Sequence, residues 1–262
     1  MVEVSASEKL SGKTAVVVGA SSGINLGVAR HLGALGARVA ILSRTKEKIE
    51  HAADGLKEGG IEAIGLAADV RNAEQLQTAF ERVRSQFGSF DILVSGAAGN
   101  FFADAKNISP NGFKTVVDID LIGTFNVLRM GFEHMTRPGG SMINITAPQA
   151  KRAMPKQAHV CAAKAGIDML TKCLALEWGA EGIRVNAVSP GPIEDTEGFA
   201  RLATNADLRQ RIEGALALPR LGQRVDIGRA VEWISSDQAS FVTGTILDCD
   251  GGMVLGNLYS PD

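Results

Sequence analysis

The first residues of this chain that could do chemistry lie in a glycine-rich stretch. The apolar run TAVVVGA (14–20) passes directly into GASSGINLG (19–27), and a segment of helical periodicity follows. A glycine-rich turn between a strand and a helix exposes backbone N–H groups at the positive end of the helix dipole, where a pyrophosphate binds. Its position at the first strand–helix junction favours a dinucleotide site over a plain capping loop built on Ser21 and Ser22.

The end of the second apolar run indicates which dinucleotide binds. The stretch LSRTKEK places Ser43 and Arg44 there, followed by Lys46 and Lys48. An acidic residue at this point takes the ribose hydroxyls of NAD, whereas serine and arginine can bind the 2′-phosphate of NADP. We therefore expect NADPH as the cofactor, the alternative being a solvated basic start of a helix.

Apolar runs and helical segments alternate along the chain and would position these groups. Continuous apolar runs suit parallel strands that are buried on both faces, and their alternation with helices predicts a doubly wound sheet. We predict an α/β fold, a Rossmann-type doubly wound parallel seven-stranded sheet, in a single domain spanning residues 1–262. The predicted strands are 14–20, 37–44, 61–70, 90–99, 140–147, 183–191 and 243–252. The predicted helices include 28–36, 73–87, 111–136, 156–180 and 226–236, and residues 192–220 are the least regular region.

Composition excludes several other classes of protein. A net charge of −2 gives no indication of a nucleic acid or an anionic membrane as partner. No apolar run approaches the roughly 20 residues of a membrane helix, and the start of the chain lacks a signal core. Three separated cysteines predict free, buried thiols in a reducing compartment. The four histidines lack metal-ligand spacing, so we expect no metal.

These motifs together resemble the short-chain dehydrogenase/reductase family along nearly the whole chain. The resemblance rests on the loop 19–27, ADV (68–70), SGAAG (95–99), the lysine of CAAK (161–164), SPGPI (189–193) and DGG (250–252). It implies adenine, ribose, nicotinamide and phosphate contacts at defined positions, with Thr196 near the phosphates and Lys164 on the nicotinamide ribose. The expected cofactor contacts are Gly19, Ser21, Ser22, Gly23, Ile24, Asn25, Leu26, Ser43, Arg44, Asp69, Val70, Ala97, Ala98, Gly99, Thr146, Lys164, Pro190, Gly191, Ile193 and Thr196.

Several positions depart from that family's pattern. Asn25 replaces the third glycine of the loop, and we expect the turn to survive because asparagine tolerates left-handed backbone. The usual catalytic tyrosine and serine would sit at Val160 and Ala147, and the usual helix asparagine is Asp120. The chain contains one tyrosine, Tyr259. Ordinary ketone reduction needs a phenol to protonate an alkoxide, so either the reaction differs or the site is inactive.

One subgroup, the 2,4-dienoyl-CoA reductases and above all the peroxisomal type, does without that tyrosine. The chain resembles it in AAGNFF (97–102), FKTVVDIDLIGTFNV (113–127) and PIEDTEGFARL (192–202), whereas Asn25 and Ser95 depart from it. A dienoyl thioester accepts hydride at the far end of its conjugated system, so charge develops on the thioester oxygen. Such a site needs an oxyanion stabiliser and a proton source near the α-carbon rather than a phenol.

The resemblance suggests roles for individual side chains. We expect Asp120 to pair with Lys164 and to position a water that delivers the proton, the alternative being a purely structural partner. Segment 195–216 is expected to form a lid with an apolar face for an acyl chain, or else a plain surface helix. His159 is expected to be a satisfied or exposed histidine rather than a catalytic one. The expected substrate contacts are Arg71 (on a CoA phosphate), Asn100 and Phe101 (at the thioester end), Gln149, and Phe199 in the lid.

The sequence therefore favours NADPH-dependent reduction of a conjugated acyl-CoA, most simply a 2,4-dienoyl-CoA. Two alternatives stay open: an oxidoreductase for another enone, a 3-oxoacyl or a steroid-like compound, and an NADPH-binding protein without turnover. The resemblance implies a homotetramer. The ending YSPD is not a peroxisomal Ser-Lys-Leu address, which predicts a cytoplasmic location.

Overall fold

A sheet of seven parallel strands forms the centre of the molecule in a computed structural model that describes residues 9–256. The strand order is β3-β2-β1-β4-β5-β6-β7, so the direction of winding reverses between β1 and β4. This confirms the predicted fold class and the number of strands, although each ladder is shorter than its apolar run. The strands are β1 (Thr14–Val18), β2 (Arg38–Ser43), β3 (Ala63–Ala67), β4 (Ile92–Ser95), β5 (Ser141–Ile145), β6 (Arg184–Pro190) and β7 (Ile246–Cys249).

Helices cover both faces of the sheet, and the helical structure differs from the prediction in two places. The first begins at Gly23, five residues before the predicted start, because the glycine loop is shorter than the motif that contains it. The irregular region 192–220 holds two short helices rather than one. The helices are α1 (Gly23–Ala34), α2 (Lys46–Glu58), α3 (Ala73–Phe87), α4 (Pro110–Val117), α5 (Gly123–Phe132), α6 (Ala158–Trp178), α7 (Glu197–Leu202), α8 (Ala206–Gly214) and α9 (Arg224–Ser235).

Successive residues of the central strands point into two separate cores. Val17 and Ile41 pack with α1, α2 and α9 on one face, and Val16 and Leu42 pack with α3, α5 and α6 on the other. All five residues of β1 are buried. Burial on both faces explains why the strands are continuous apolar runs instead of alternating patterns.

The predicted helix 111–136 is one helical run from Pro110 to Phe132 with a wider turn inside it. Ser109 caps its start by accepting a hydrogen bond from the Gly112 N–H at 3.0 Å. A π-helical turn, Asp118–Ile122, joins α4 to α5. Such turns are rare and often lie at functional sites. This one carries Asp120, which is buried.

Close packing of α5 on the sheet sets the position of that turn. A Cβ built on Gly131 would lie 2.3 Å from Leu93 Cδ2 on β4, so only glycine permits this approach. Helix α5, which follows the π turn, therefore packs directly against β4, the strand beside β1.

Three further expectations can be compared with the structure. The cysteines are free, but Cys173 is exposed while Cys161 and Cys249 are half-buried, so the prediction that they are buried is wrong. Within residues 9–256, no helix is long and apolar enough to cross a membrane, and no cluster of three or more acidic, histidine or cysteine side chains has metal-binding geometry.

Substituting Gly131→Ala should lower the free energy of unfolding by about 1–3 kcal/mol, because the added methyl overpacks the α5–β4 contact. Gly55→Ala is the matched control. Gly55 lies inside α2 with no atom within 4 Å of a built Cβ, so the same change should stabilise by about 0.4–1 kcal/mol. Urea unfolding measures both, and equal effects at the two sites would contradict this account of the packing.

Candidate active site

Two adjoining cavities open at the carboxyl ends of the strands, at the point where the strand order reverses between β1 and β4. A cleft of about 670 Å³ follows β1, β2 and β4, and an apolar cavity of about 470 Å³ follows β5 and β6. Ser22, Gly96, Ala98 and Gly99 line both, so the two are continuous. Ligands of doubly wound sheets bind at this reversal of strand order.

The glycine loop brings its backbone close to the end of β4. Gly19 has a φ of +81°, and a Cβ there would lie 2.6 Å from the Ala97 backbone nitrogen. The first turn of α1 follows at once, so its N–H groups are directed at the cleft. This cradle suits the pyrophosphate of a dinucleotide.

Asn25 secures the loop with its side chain and not with its backbone. It lies in α1 with ordinary helical backbone, so the turn is kept without a left-handed residue at this position. Its Nδ2 donates to the carbonyl oxygens of Gly19 at 3.2 Å and Gly96 at 2.8 Å. The substituted position therefore ties the loop after β1 to the end of β4.

The far end of the cleft is basic. Ser43, Arg44 and Lys48 line it, whereas Lys46 lies outside and pairs with Glu50. A carboxylate beside these groups, Asp69, is bound by Arg71 at 2.5 Å. That hydrogen bond lowers the pKa of Asp69. Another carboxylate of the cleft wall, Glu197, pairs with Arg201. This donor set fits the 2′-phosphate of NADP.

An ion pair between Asp120 and Lys164 lies where the cleft meets the apolar cavity. Both side chains are almost fully buried, and Lys164 Nζ is 3.5 Å from Asp120 Oδ2. The Gly99 N–H donates to Asp120 Oδ1 at 2.7 Å, and Lys164 Nζ donates to the Ile145 carbonyl at 3.2 Å. Burial raises the pKa of Asp120, and the Lys164 charge and the Gly99 N–H oppose that rise. Because 3.5 Å exceeds a normal hydrogen bond, Oδ2 keeps an unused acceptor position and has no hydrogen-bond partner among the described residues.

The cavity wall is apolar at the positions where the family has hydroxyl groups. Val160 and Ala147 both line it. The rest of the wall is largely hydrophobic and includes Ile145, Pro148, Met154, Ile193, Phe199, Leu202, Ile212 and Met253. The chain's only tyrosine, Tyr259, lies outside the described residues.

Most of the predicted site residues line one of the two cavities. The cleft holds Gly19, Ser21, Ser22, Ser43, Arg44, Asp69, Val70, Ala97, Ala98 and Gly99. The apolar cavity holds Gly23, Ile24, Asn25, Asn100, Asp120, Thr146, Gln149, Lys164, Pro190, Gly191, Ile193, Thr196 and Phe199.

Two predicted contacts, Leu26 and Phe101, line neither cavity, whereas Thr196 and Arg71 line one each. Leu26 packs against the core beneath α1 and lines neither cavity. Thr196 is beside the apolar cavity, and its hydroxyl caps α7 by accepting from the Phe199 N–H at 3.2 Å. Arg71 lines the cofactor cleft and is not brought together with the other expected substrate contacts. Phe101 lies outside both linings.

Phe101 rests instead on His159. The ring centroids are 4.2 Å apart and tilted by 35°, and His159 is buried rather than exposed. Burial lowers the pKa of His159, which keeps the ring neutral at neutral pH. His159 therefore supports the Asn100–Phe101 loop from below.

Sequence reasoning missed two polar residues of the apolar cavity, Glu197 and Gln157, of which Gln157 is buried. Gln157 precedes α6, and its Oε1 accepts a hydrogen bond from Gln149 Nε2 at 3.1 Å. A signal was available, because Gln157 and Val160 precede Lys164 by seven and four residues and so share a helical face with it.

Asn25→Ala should destabilise the fold by about 1–3 kcal/mol and weaken NADPH binding, because two carbonyl groups lose their donor. Asn25→Asp keeps the shape but sets a carboxylate against both carbonyls, so it should be worse than Asn25→Ala. Thermal unfolding and cofactor fluorescence titration measure the two effects. Wild-type stability and affinity in Asn25→Ala would refute the bridging role.

Comparison with curated proteins finds several peroxisomal 2,4-dienoyl-CoA reductases among the relatives of this chain. The chain is 39% identical to the peroxisomal 2,4-dienoyl-CoA reductase of Arabidopsis thaliana, over 93% of this chain and 85% of that protein. It is 42% identical to the peroxisomal 2,4-dienoyl-CoA reductase of Saccharomyces cerevisiae, over 92% of this chain and 84% of that one. These relatives contradict the cytoplasmic location predicted above, since they are peroxisomal. The end of the chain was a poor guide to location.

Comparison with solved structures and family models agrees with the geometry. A crystal structure of a short chain dehydrogenase from Bacillus anthracis superposes with a TM-score of 0.84 at 36% identity, covering 95% of this chain and 99% of that one. The family model described as enoyl-(acyl carrier protein) reductase matches residues 19–254. With the glycine cradle, the retained lysine and the sheet order in place, the chain belongs to the short-chain dehydrogenase/reductase family.

Proposed function

We propose that the protein is an NADPH-dependent 2,4-dienoyl-CoA reductase that forms a 3-enoyl-CoA. The observation that carries this proposal is the buried Asp120–Lys164 pair beside an apolar cavity in which Val160 and Ala147 replace the usual hydroxyl groups. That arrangement lacks the family's usual hydroxyl donors for an alkoxide but retains a charged pair that can act on a conjugated system. The relatives named as 2,4-dienoyl-CoA reductases support the same interpretation.

Bound NADPH would supply a hydride to the δ-carbon of the dienoyl chain. The double bonds then shift, negative charge gathers on the thioester oxygen, and the α-carbon takes a proton to leave one double bond at the β,γ position. The chain's own residues must therefore stabilise an oxyanion and bring a proton to carbon.

Asp120 is the residue proposed to organise that proton. Its Oδ1 is held by the Gly99 N–H at 2.7 Å, whereas Oδ2 can accept from a water in the cavity. Lys164 adds positive potential and, fixed by the Ile145 carbonyl, is positioned for the ribose hydroxyls of the cofactor. In a low-dielectric site such fixed charges act more strongly than they would in water.

The cofactor proposal is NADPH and not NADH. Ser43, Arg44 and Lys48 at the end of the cleft support it, and Arg71 neutralises the nearby Asp69. An arginine binds phosphate through charge-assisted hydrogen bonds, whereas a ribose hydroxyl calls for an unpaired carboxylate.

The acyl chain would lie in the apolar cavity beneath residues 192–220. Phe199 and Leu202 of α7 and Ile212 of α8 line the cavity from this side, which supports the proposal of a lid. Arg201 donates to the Asn100 carbonyl at 3.0 Å, a contact that links the lid to the loop after β4.

A homotetramer is proposed as the assembly. Apolar side chains that are exposed on the described chain support it, since isolated monomers rarely expose large apolar patches. On α4, α5 and α6 with the intervening π turn, they are Phe113, Ile122, Phe125, Met169 and Leu176.

Asp120→Asn should lower kcat with 2,4-hexadienoyl-CoA by about 10²-fold or more, the range for general acid–base assistance, with NADPH affinity retained. The amide keeps an acceptor for Gly99 but loses the charge. Absorbance loss of NADPH measures the rate. Asp118→Asn is the control, because Asp118 lies on the same π turn but pairs with Lys114 at the surface. It should keep wild-type kcat.

Two results would count against the proposal. An unchanged kcat in Asp120→Asn would remove Asp120 from the mechanism. A wild-type protein that oxidises NADPH with a saturated ketone but not with 2,4-hexadienoyl-CoA would overturn the proposed activity itself.

Arg44→Ala should weaken NADPH binding about tenfold or more and leave NADH binding nearly unchanged, because one charge-assisted phosphate contact is lost. Lys46→Ala is the control, since Lys46 belongs to the same basic stretch but lies outside the cleft. Fluorescence titration with both cofactors separates the cases. Equal losses in the two variants would mean that the stretch is only a solvated start of α2.

A further inference from the structure

One polar group in the apolar cavity has no role in the site described so far. Gln157 is 1% exposed, and its Nε2 has no acceptor among the described residues. Buried polar groups are almost always hydrogen-bonded, so a native exception calls for an explanation. Gln157 lines the same cavity as Asp120 and Lys164, so its amide belongs to the wall beside which the thioester is proposed to bind.

Gln149 determines which way the Gln157 amide faces. Gln149 Nε2 donates to Gln157 Oε1 at 3.1 Å, so the oxygen of the Gln157 amide already has a hydrogen-bond partner. An amide has its oxygen and nitrogen on opposite sides, so the Gln157 NH₂ must turn away from Gln149. Within the described part of the chain, the pair therefore leaves a donor, and not an acceptor, without a partner.

The surroundings strengthen any hydrogen bond that this donor makes. Ala147, Met154 and Val160 line the same cavity, and their side chains do not compete for a hydrogen bond. The Lys164 ammonium is already engaged with the Ile145 carbonyl and Asp120. In low dielectric, a fixed dipole aimed at developing charge stabilises a transition state effectively.

We infer that Gln157 donates a hydrogen bond to the thioester carbonyl oxygen of the substrate and stabilises the charge that gathers there, with Gln149 as its positioning residue. The inference rests on the proposed function, because hydride addition to a conjugated thioester is the step that puts this charge on the thioester oxygen. It assigns the oxyanion contact to a side chain next to the helix that carries Lys164. Gln157 is then a catalytic residue, and Gln149 acts through it.

The test compares Gln157→Met with Gln238→Met. Methionine fills the space of glutamine without a donor, so kcat of Gln157→Met with 2,4-hexadienoyl-CoA should fall by about 10²–10³-fold, the effect of removing one oxyanion donor. NADPH affinity should stay at the wild-type value, and the unfolding temperature should fall only slightly, because the variant loses the single hydrogen bond from Gln149. Gln238→Met makes the same replacement at an exposed residue that lines neither cavity and should keep wild-type kcat.

A spectroscopic measurement separates a donor from a merely structural residue. Hexadienoyl-CoA labelled with ¹³C at the thioester carbonyl is bound to the enzyme with NADP⁺, and its C=O stretch is recorded by difference infrared spectroscopy. Wild type and Gln238→Met should show a stretch lowered from its value in an apolar solvent. Gln157→Met should lose that lowering, and Gln149→Met should lose part of it.

The outcomes are distinguishable. A wild type that is active on the dienoyl-CoA, with Gln157→Met retaining both kcat and the lowered stretch, would overturn the inference and leave the proposed function standing. A wild type inactive on the dienoyl-CoA would remove both. If Gln157→Met fails to fold, Gln149→Met decides between the outcomes, since an unmoved stretch in that variant contradicts the positioning role.

Discussion

The buried pairing of Asp120 with Lys164 is the interaction on which the rest of the site depends. Two charges taken out of water are costly unless each is hydrogen-bonded, and here the Gly99 N–H and the Ile145 carbonyl provide those contacts. The π turn supplies the carboxylate, and the packing of α5 on β4 brings it within 3.5 Å of the ammonium. The end of β5, the π turn and the loop after β4 therefore all contribute to this one ion pair.

The loss of two hydroxyl groups reshapes the chemistry around that pair. With Val160 and Ala147 in the wall, the cavity is apolar next to the lysine, and polar side chains such as Asp120, Gln149 and Gln157 stand out in it. Such a cavity disfavours a reaction that ends on an alkoxide and suits one in which charge spreads along a thioester. A missing phenol therefore indicates a change of reaction and not damage.

The fold was largely predictable, and the local geometry of the site was not. Seven strands followed from continuous apolar runs, since burial on both faces leaves no alternation. The start of α1 was misplaced because a glycine motif does not mark where its turn ends. Asn25 was interpreted by its tolerance of a left-handed backbone, although its contribution is two side-chain hydrogen bonds that hold the loop. His159 was expected to be satisfied or exposed, although it lies buried beneath Phe101.

By itself the sequence determined the strand and helix types, the basic end of the cofactor site and the valine that stands at the position of the family's usual tyrosine. These features depend on composition and short-range periodicity, which can be read from short stretches of the sequence. The tertiary structure alone decided that Asn25 reaches Gly96, and that Gln149 orients Gln157 inside an apolar wall. Hydrogen bonds between separate elements depend on how those elements pack. No local sequence pattern encodes the distance between residues on different elements.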